Sequence, residues 1–459
     1  MKNMTLNAIA EAVDGQLILP DNYILDENAT IQGVVSDNRE VEKDYLFVPF
    51  VGEKVDAHRF IPDAFERGAM AVLSQVELND AKGPYILVND TPIALKRLAG
   101  FYRDNLNIPI IGVIGSVGKT STKEMIASVL SVKFNVLKTT GNLNNEIGLP
   151  LTLCRIRDEH EVAVVEMGIS EFGEMHRLGE VARPDMVVMT NIGQCHLENL
   201  KTRDGILQAK TEVFDHMKDG AVAILNGDDD KLATISRPEL KKVFYGTNGQ
   251  EINATSISAK SVSETAATVH TPNGDFDVVI PLPGEHNVMN GLAATAVGLE
   301  LGLTVDEIKE GLSKATTIAG RNNIIKLSGI TIIDDCYNAN PVSMKNGIQV
   351  LAKATGRTIA VLGDMGELGE DEKALHYGIS KALDDNGITM VFTLGDLSNE
   401  IVRGLKDMDS KCKSYHMEDM DGLVEGLLDV LKDGDTVLVK ASHFMNFSNI
   451  IERLKEKLG

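Results

Sequence analysis

From Ile108 onward, short β-rich runs take turns with helical stretches, and this alternation restricts the possible folds more than any other feature of the chain. IPIIGVIG, NVLKTT, VAVVEMG, DMVVMTNIG and GAVAILNGDD are separated by segments such as TSTKEMIASVLSV and GILQAKTEVFDHM. Strands spaced by helices build a parallel sheet with crossover connections. Open sheets of this kind hold ligands beyond the carboxyl ends of their strands. Chemistry is therefore expected in the residues that follow each run.

The pattern changes between Glu251 and Leu282, where Ser, Thr and Val alternate and Asn273-Gly274 marks a turn, as in a β-hairpin insertion. A helical stretch follows from Asn287. TTIAG, Thr316 to Gly320, reads as a linker and hinge, and after Gly329 strand and helix alternate again through ITIIDD, RTIAVLGD, TMVFTLGD and DTVLVKAS. The first part of the chain mixes ATIQGVVSD, DYLFVPF and AMAVLS with a helix around Pro62 to Arg67. The 459 residues suffice for about three domains. The expected class is α/β with a small N-terminal α/β domain (1–108), a central P-loop parallel-sheet ATPase-like domain (109–316) and a C-terminal Rossmann-like domain (317–459).

Lys and Arg number 45 against 67 Asp and Glu, a formal charge of −22. Such an excess of negative charge repels polyanions, so nucleic acid is not an expected partner. Cys154, Cys195, Cys336 and Cys412 lie far apart with no Cys-x-x-Cys pair, which fits reduced thiols in the cytoplasm. MKNMTLNAIAEAVDG reads as a short amphipathic helix interrupted by Glu11, and no apolar run approaches the ~20 residues of a membrane span. No membrane insertion is expected.

GVIGSVGKTSTKEM misses the strict G-x-x-x-x-G-K-[ST] formula, because Val113 stands where the first glycine belongs. Gly115, Ser116, Val117, Gly118, Lys119, Thr120 and Ser121 nevertheless join a strand to a helix start. Glycines there let backbone N–H groups converge on phosphate oxygens, the helix N-terminus adds positive potential, and Lys119 adds a charge. Thr120 is placed to hold a magnesium ion. ATP or another nucleotide is the expected ligand; a ligand-free glycine turn is the alternative.

Ile206, Lys210, Val213 and Met217 recur at helical spacing, which puts a lysine on an apolar stripe. One reading is snorkelling, with the stem buried and the ammonium in water. The other is that burial depresses the lysine pKa and yields a reactive neutral amine. Glu166 in VVEMG and His196 in NIGQCHLE end two strands on the same ligand edge. With Thr120 they can hold magnesium near phosphates.

These motifs resemble the Mur ligases of bacterial cell-wall synthesis over essentially the whole chain. The resemblance rests on GSVGKTSTKE (from Gly115), TTGNLNNEIGLPLTL (from Thr139), VVEMG (from Val164), NIGQCHLE (from Asn191), AKTEVF (from Ala209), GEHNVMNGLAA (from Gly284), AGR (ending at Arg321), DDCYNANPVSM (from Asp334) and LGDMGELG (from Leu362). It is strongest to the branch that joins D-alanyl-D-alanine to UDP-N-acetylmuramoyl-tripeptide through an acyl phosphate, at the expense of ATP. By the resemblance the three domains bind the UDP-muramoyl peptide, ATP and the incoming amino component. Lys210 is the lysine that the family carbamylates with carbon dioxide.

The same resemblance implies one magnesium on Thr120 and Glu166, and a second on His196 and carbamylated Lys210. Lys119, Lys210, His196 and Glu166 form the implied catalytic set. Asn287, Asn290, Arg321, Asp335 and Asn338 are implied nucleotide contacts. Ser36 and Arg39 in SDNR, with Phe50 to His58 nearby, are implied to contact the uridine diphosphate, and Asn142, Asn144 and Asn145 to lie near the nucleotide sugar. LVKASHFMNF departs from the family's Gly-Ser-Arg-like stretch at Ala441, Ser442 and His443, leaving Lys440 and Ser442 as candidates for the dipeptide. Asn340 before Pro341 also has the form of a helix N-cap with proline at the first helical position. A monomer is implied.

Rival readings are a sister ligase adding the diamino acid at the third position, a nucleotide-switched regulatory ATPase, and folyl-polyglutamate synthesis. The first lacks an Asp-Asn-Pro-Arg stretch here, and the second gives no reason for Lys210 on an apolar stripe.

Overall fold

In the computed structural model, which describes residues 1, 4–21 and 23–459, the chain forms three sheets in succession. The first holds β1 (Gln16–Ile18), β2 (Gly33–Val35), β3 (Tyr45–Phe47), β4 (Ala71–Ser74) and β5 (Tyr85–Leu87), in the order β1-β5-β4-β3-β2. The N-terminal helix Leu6–Val13 starts at Thr5, whose side chain accepts from the Ala8 amide, and Glu11 sits exposed on it without breaking it.

The second sheet has nine strands. β6 (Ile110–Ile114), β7 (Val136–Lys138), β8 (Val162–Glu166), β9 (Met186–Met189) and β10 (Val222–Asn226) correspond to the five sequence runs, and β11 (Lys241–Gly246) extends them. Every residue of β6, β8 and β9 is buried, as strands covered on both faces must be. The expected hairpin is a three-stranded meander, β12 (Ile252–Ser261), β13 (Glu264–His270) and β14 (Phe276–Ile280), with Asn273 and Gly274 in its second turn. The order is β14-β13-β12-β11-β10-β9-β6-β8-β7. Strand β6 thus lies between β8 and β9, and the chain leaves it in opposite directions across the sheet. A crevice opens at such a switch point.

The third sheet has the order β15-β16-β20-β17-β18-β19, with β15 (Asn323–Leu327), β16 (Ile330–Asp334), β17 (Thr358–Gly363), β18 (Met390–Leu394), β19 (Lys413–Met417) and β20 (Thr436–Lys440). Only β15 runs antiparallel to its neighbour. Linker residues Ile318 and Arg321 close a turn by an isolated bridge.

The cores are distributed unevenly. Leu95, Leu98 and Tyr102 of the helix Thr91–Asp104 share one apolar cluster with Leu149, Leu153 and Leu178 beneath the second sheet. Tyr102 adds a hydrogen bond from its hydroxyl to the Ile156 carbonyl at 2.7 Å. The N-terminal and middle parts are therefore welded by continuous apolar burial. On the other face of the second sheet, the phosphate-loop helix Lys119–Leu130 packs against the helix Glu285–Glu300 and the helix Val305–Ser313. A methyl group on Gly311 would come within 2.4 Å of the Val129 Cα, so glycine permits this close approach. The third sheet has its own cluster on each face, and among the described residues neither extends into the middle domain.

Candidate functional site

Three adjacent strands of the second sheet, β8, β6 and β9, deliver their carboxyl ends to one place, and so do β16, β20 and β17 of the third. A cavity of about 580 Å³ lies between them, lined by residues of both sheets. From the middle domain come Ser116, Val117, Gly118, Lys119, Thr120 and Ser121, then Asn144 and Asn145, Glu166, His196 and Asn290. Arg321, Asp335, Asn338 and Lys440 complete it from the other side.

The phosphate loop is fixed from below. Gly118 is left-handed (φ 85), and the helix begins at the next residue. Asn191 clamps the loop through its side chain, accepting from the Val117 amide and donating to the Val117 carbonyl, each at 3.0 Å. The Thr190 hydroxyl also donates to that carbonyl at 2.6 Å. A Cβ on Gly115 would lie 1.9 Å from the Thr190 oxygen, so no side chain fits there. Gly115 therefore shapes the loop from behind the cavity wall. The Lys119 ammonium folds back onto the Gly115 carbonyl at 2.9 Å. Thr190 and Asn191 line the cavity and fix its loop, and neither is among the site residues expected from the sequence; their place at the end of an apolar run is the signal that points to them.

Glu166 is 2 % exposed. Its amide donates to the Thr139 hydroxyl at 2.9 Å, and its Oε1 accepts from Asn144 Nδ2 at 2.8 Å. Its Oε2 is buried without a hydrogen-bond partner. A buried carboxylate oxygen left unpaired is costly unless a cation or proton meets it. Among the described residues no three His, Cys, Asp or Glu side chains converge as a metal cluster. A divalent ion here would combine this oxygen with the Thr120 hydroxyl and nucleotide phosphates, an oxygen donor set that suits Mg2+.

Lys210 is 1 % exposed on the buried face with Ile206 and Val213, as its spacing predicts. The helix carrying it ends at Thr211, and a 3-10 turn, Glu212–His216, continues the stripe. Lys210 is behind the cavity lining, and among the described residues its ammonium makes no hydrogen bond or ion pair. Burial pushes its pKa down to about 8, with Lys119 lowering it further and Cys195 opposing. With 1 % of the residue exposed, the ammonium is buried along with its stem, unlike a snorkelling lysine with its head in bulk water.

Several candidates serve the framework. Thr122 donates to Asn290 Oδ1 (2.9 Å), Asn290 Nδ2 to Asn287 Oδ1 (3.0 Å), and Asn287 Nδ2 to the Pro283 carbonyl (2.7 Å). This row ties the phosphate-loop helix to the helix Glu285–Glu300; Asn290 faces the main cavity and Asn287 does not line it. Asn340 caps the helix Pro341–Leu351 in a capping box with Ser343. The Lys440 ammonium donates to Asp335 Oδ2 at 2.6 Å, to the Asp335 carbonyl at 3.4 Å and to the Asn338 carbonyl at 3.0 Å, which uses all three donors. Asp335 Oδ1 accepts from the Asn322 amide. The Arg321 guanidinium stacks 4.1 Å over the Tyr337 ring. Ser442 accepts from the Gly366 amide at 2.8 Å and does not line the cavity.

Ser36, Arg39 and Asn142 lie outside this cavity. Arg39 is held by Asp37 at 2.5 Å and is largely exposed. All four cysteines are free, and among the described residues no helix is long and apolar enough to cross a membrane.

The chain and its fold are similar to those of known proteins. Residues 113–298 match the Mur ligase middle domain and 320–443 the Mur ligase glutamate ligase domain. The chain is 38 % identical to the UDP-N-acetylmuramoyl-tripeptide–D-alanyl-D-alanine ligase of Bacillus subtilis, covering 99 % of each. It superposes on the crystal structure of MurF from Acinetobacter baumannii with a TM-score of 0.89, at 31 % identity and 99 % coverage of both chains. A MurF ligase from Thermotoga maritima in complex with ADP gives a TM-score of 0.82 at 30 % identity, over 93 % of this chain and 97 % of that one.

Proposed function

The chain belongs to the Mur ligase family, and from that premise we propose the following reaction and division of roles. The protein is an ATP-dependent, ADP-forming ligase that joins D-alanyl-D-alanine to UDP-N-acetylmuramoyl-tripeptide and makes the UDP-muramoyl-pentapeptide precursor of peptidoglycan. One observation carries the reading: a phosphate loop, a buried carboxylate with an orphan oxygen, and an imidazole share a cavity with residues of the third sheet.

A carboxylate is a poor electrophile, so it must first be activated. The terminal carboxylate of the tripeptide attacks the γ-phosphorus of ATP; a P–O bond forms, the bond to the β-phosphate oxygen breaks, and ADP leaves. The amine of D-alanyl-D-alanine then attacks the acyl carbon and loses its proton as phosphate departs. Lys119 leaves the Gly115 carbonyl and meets the phosphates, while loop amides hold their oxygens. Mg2+ ions held by Thr120 with Glu166, and by His196 with carbamylated Lys210, would offset the repulsion between carboxylate and triphosphate. The neutral amine that carbamylation needs is favoured by the buried position of Lys210.

Arg321, Asp335 and Asn338 are the nucleotide contacts from the far wall and Asn290 from the middle domain, with Asn287 acting through Asn290. Ser36 and Arg39, with Asn142, Asn144 and Asn145, hold the nucleotide-sugar substrate along the N-terminal side. Lys440 and Ser442 serve the dipeptide end through the loops they fix. Closure about Thr316 to Gly320 excludes water and protects the acyl phosphate. By the family resemblance the protein acts as a monomer in the cytoplasm, where ATP is supplied.

The test is phosphate release with ATP and magnesium while each substrate is omitted in turn. Release should require both the tripeptide and the dipeptide, and pentapeptide should form in step with it. Release that continues without D-alanyl-D-alanine, with no pentapeptide formed, would refute the assignment.

A further inference from the structure

His196 Nδ1 lies 2.6 Å from Glu367 Oε2, across the boundary between the second and third sheets. Both residues have left-handed backbones, φ 51 at His196 and φ 61 at Glu367. Non-glycine residues seldom adopt that conformation unless their surroundings enforce it. Here the surroundings do. After β17, the Met365 amide donates to Nε2 of the fully buried His376 at 2.8 Å, and His376 Nδ1 bonds the Glu372 carbonyl at 2.7 Å. The next amide, Gly366, donates to Ser442. The loop is thus rigid where it presents Glu367, and it sits against the start of the helix Leu197–Leu200, with Gly369 close to Leu197 and Glu198.

Among the described residues no apolar cluster of the third sheet extends into the middle domain, and the His196–Glu367 pair is a polar contact across that boundary. We propose that Glu367 is a positioning residue: its carboxylate takes the Nδ1–H of His196, which leaves Nε2 with the ring's free lone pair for a divalent cation. The carboxylate arrives on a different domain from the imidazole. His196 is therefore set for the cation only while the C-terminal domain is docked. The proposal rests on the reading of His196 as a cation ligand. A carboxylate on the far nitrogen of a ligating imidazole fixes its tautomer and raises its basicity, and losing such a partner lowers metal affinity by about 10- to 100-fold.

The experiment titrates Mn2+ into the full-length protein with a non-hydrolysable ATP analogue and follows bound Mn2+ by electron paramagnetic resonance. Glu367→Ala should raise the Mn2+ dissociation constant by at least about tenfold. Glu367→Gln, whose amide oxygen still accepts from Nδ1, should raise it less. His196→Ala serves as the reference and should lose the same cation. If His196→Ala binds Mn2+ as the wild type does, the ligand reading itself fails. If His196→Ala weakens binding and Glu367→Ala does not, the role of Glu367 alone is overturned. Glu367 is exposed at 62 % of its side chain, so neither of its variants should disturb folding.

Discussion

Asn144 holds one oxygen of Glu166, at 2.8 Å from its Nδ2, and so aims the other, which is buried and unpartnered. The carboxylate is oriented by an amide.

Removing that amide should therefore act on metal use. A hydrogen bond to a charged group contributes roughly 1.5–3 kcal/mol, so Asn144→Ala should lower kcat/KM by roughly 10- to 100-fold. Steady-state kinetics across a Mg2+ series checks it; a defect independent of Mg2+ would show that Asn144 serves something else.

Gly115→Ala should cripple nucleotide binding while the fold survives, because the new methyl group collides with the Thr190 hydroxyl. We expect ADP affinity to fall at least tenfold by calorimetry. The double variant Gly115→Ala/Thr190→Ala, with the colliding oxygen gone, should recover part of the loss.

Lys210→Ala should abolish ligation, and short carboxylic acids should restore some of it by filling the place of the carbamate. Stability supplies an independent readout. The Lys210 pKa falls from its ordinary 10.5 to about 8 on folding, so the unfolded chain holds the extra proton between those values. Without bicarbonate, stability should then rise with pH across about 8 to 10.5, and the full penalty, on the order of 3 kcal/mol, applies below it. Urea denaturation should find Lys210→Met more stable than wild type at pH 7, with the gap closing toward pH 10.5.

Lys440→Met should destabilise the third sheet by about 3–5 kcal/mol, since it leaves the Asp335 carboxylate buried beside backbone carbonyls without its cation. Lys440→Met/Asp335→Asn should cost less than the single change. Thermal unfolding of these two variants, of Asp335→Asn alone and of the wild type closes the cycle.

The parallel strands and the phosphate loop were legible in the sequence because buried strands write their burial as unbroken apolar runs, and β6, β8, β9, β17 and β20 all do so. Lys210 was legible for a related reason: a charge on a periodic apolar stripe contradicts the stripe. The half-exposed strands β1, β15 and β19 were missed, as short or mixed segments carry no clear period. Asn340 kept its cap, which is local. The roles of Lys440, Ser442 and Glu367 were hidden because their partners, Asp335, Gly366 and His196, lie far away in the chain, and no spacing rule reaches that distance.

The asparagine row from Thr122 to Pro283 has a direction. A backbone carbonyl can only accept, so Pro283 at one end dictates which way the Asn287 amide turns, Asn287 dictates Asn290, and Asn290 dictates the Thr122 proton. Aspartate, though nearly the same shape as asparagine, would set acceptor against acceptor at either position. The orientation of the amide that faces the cavity is thus decided several residues away, by a group that can only accept.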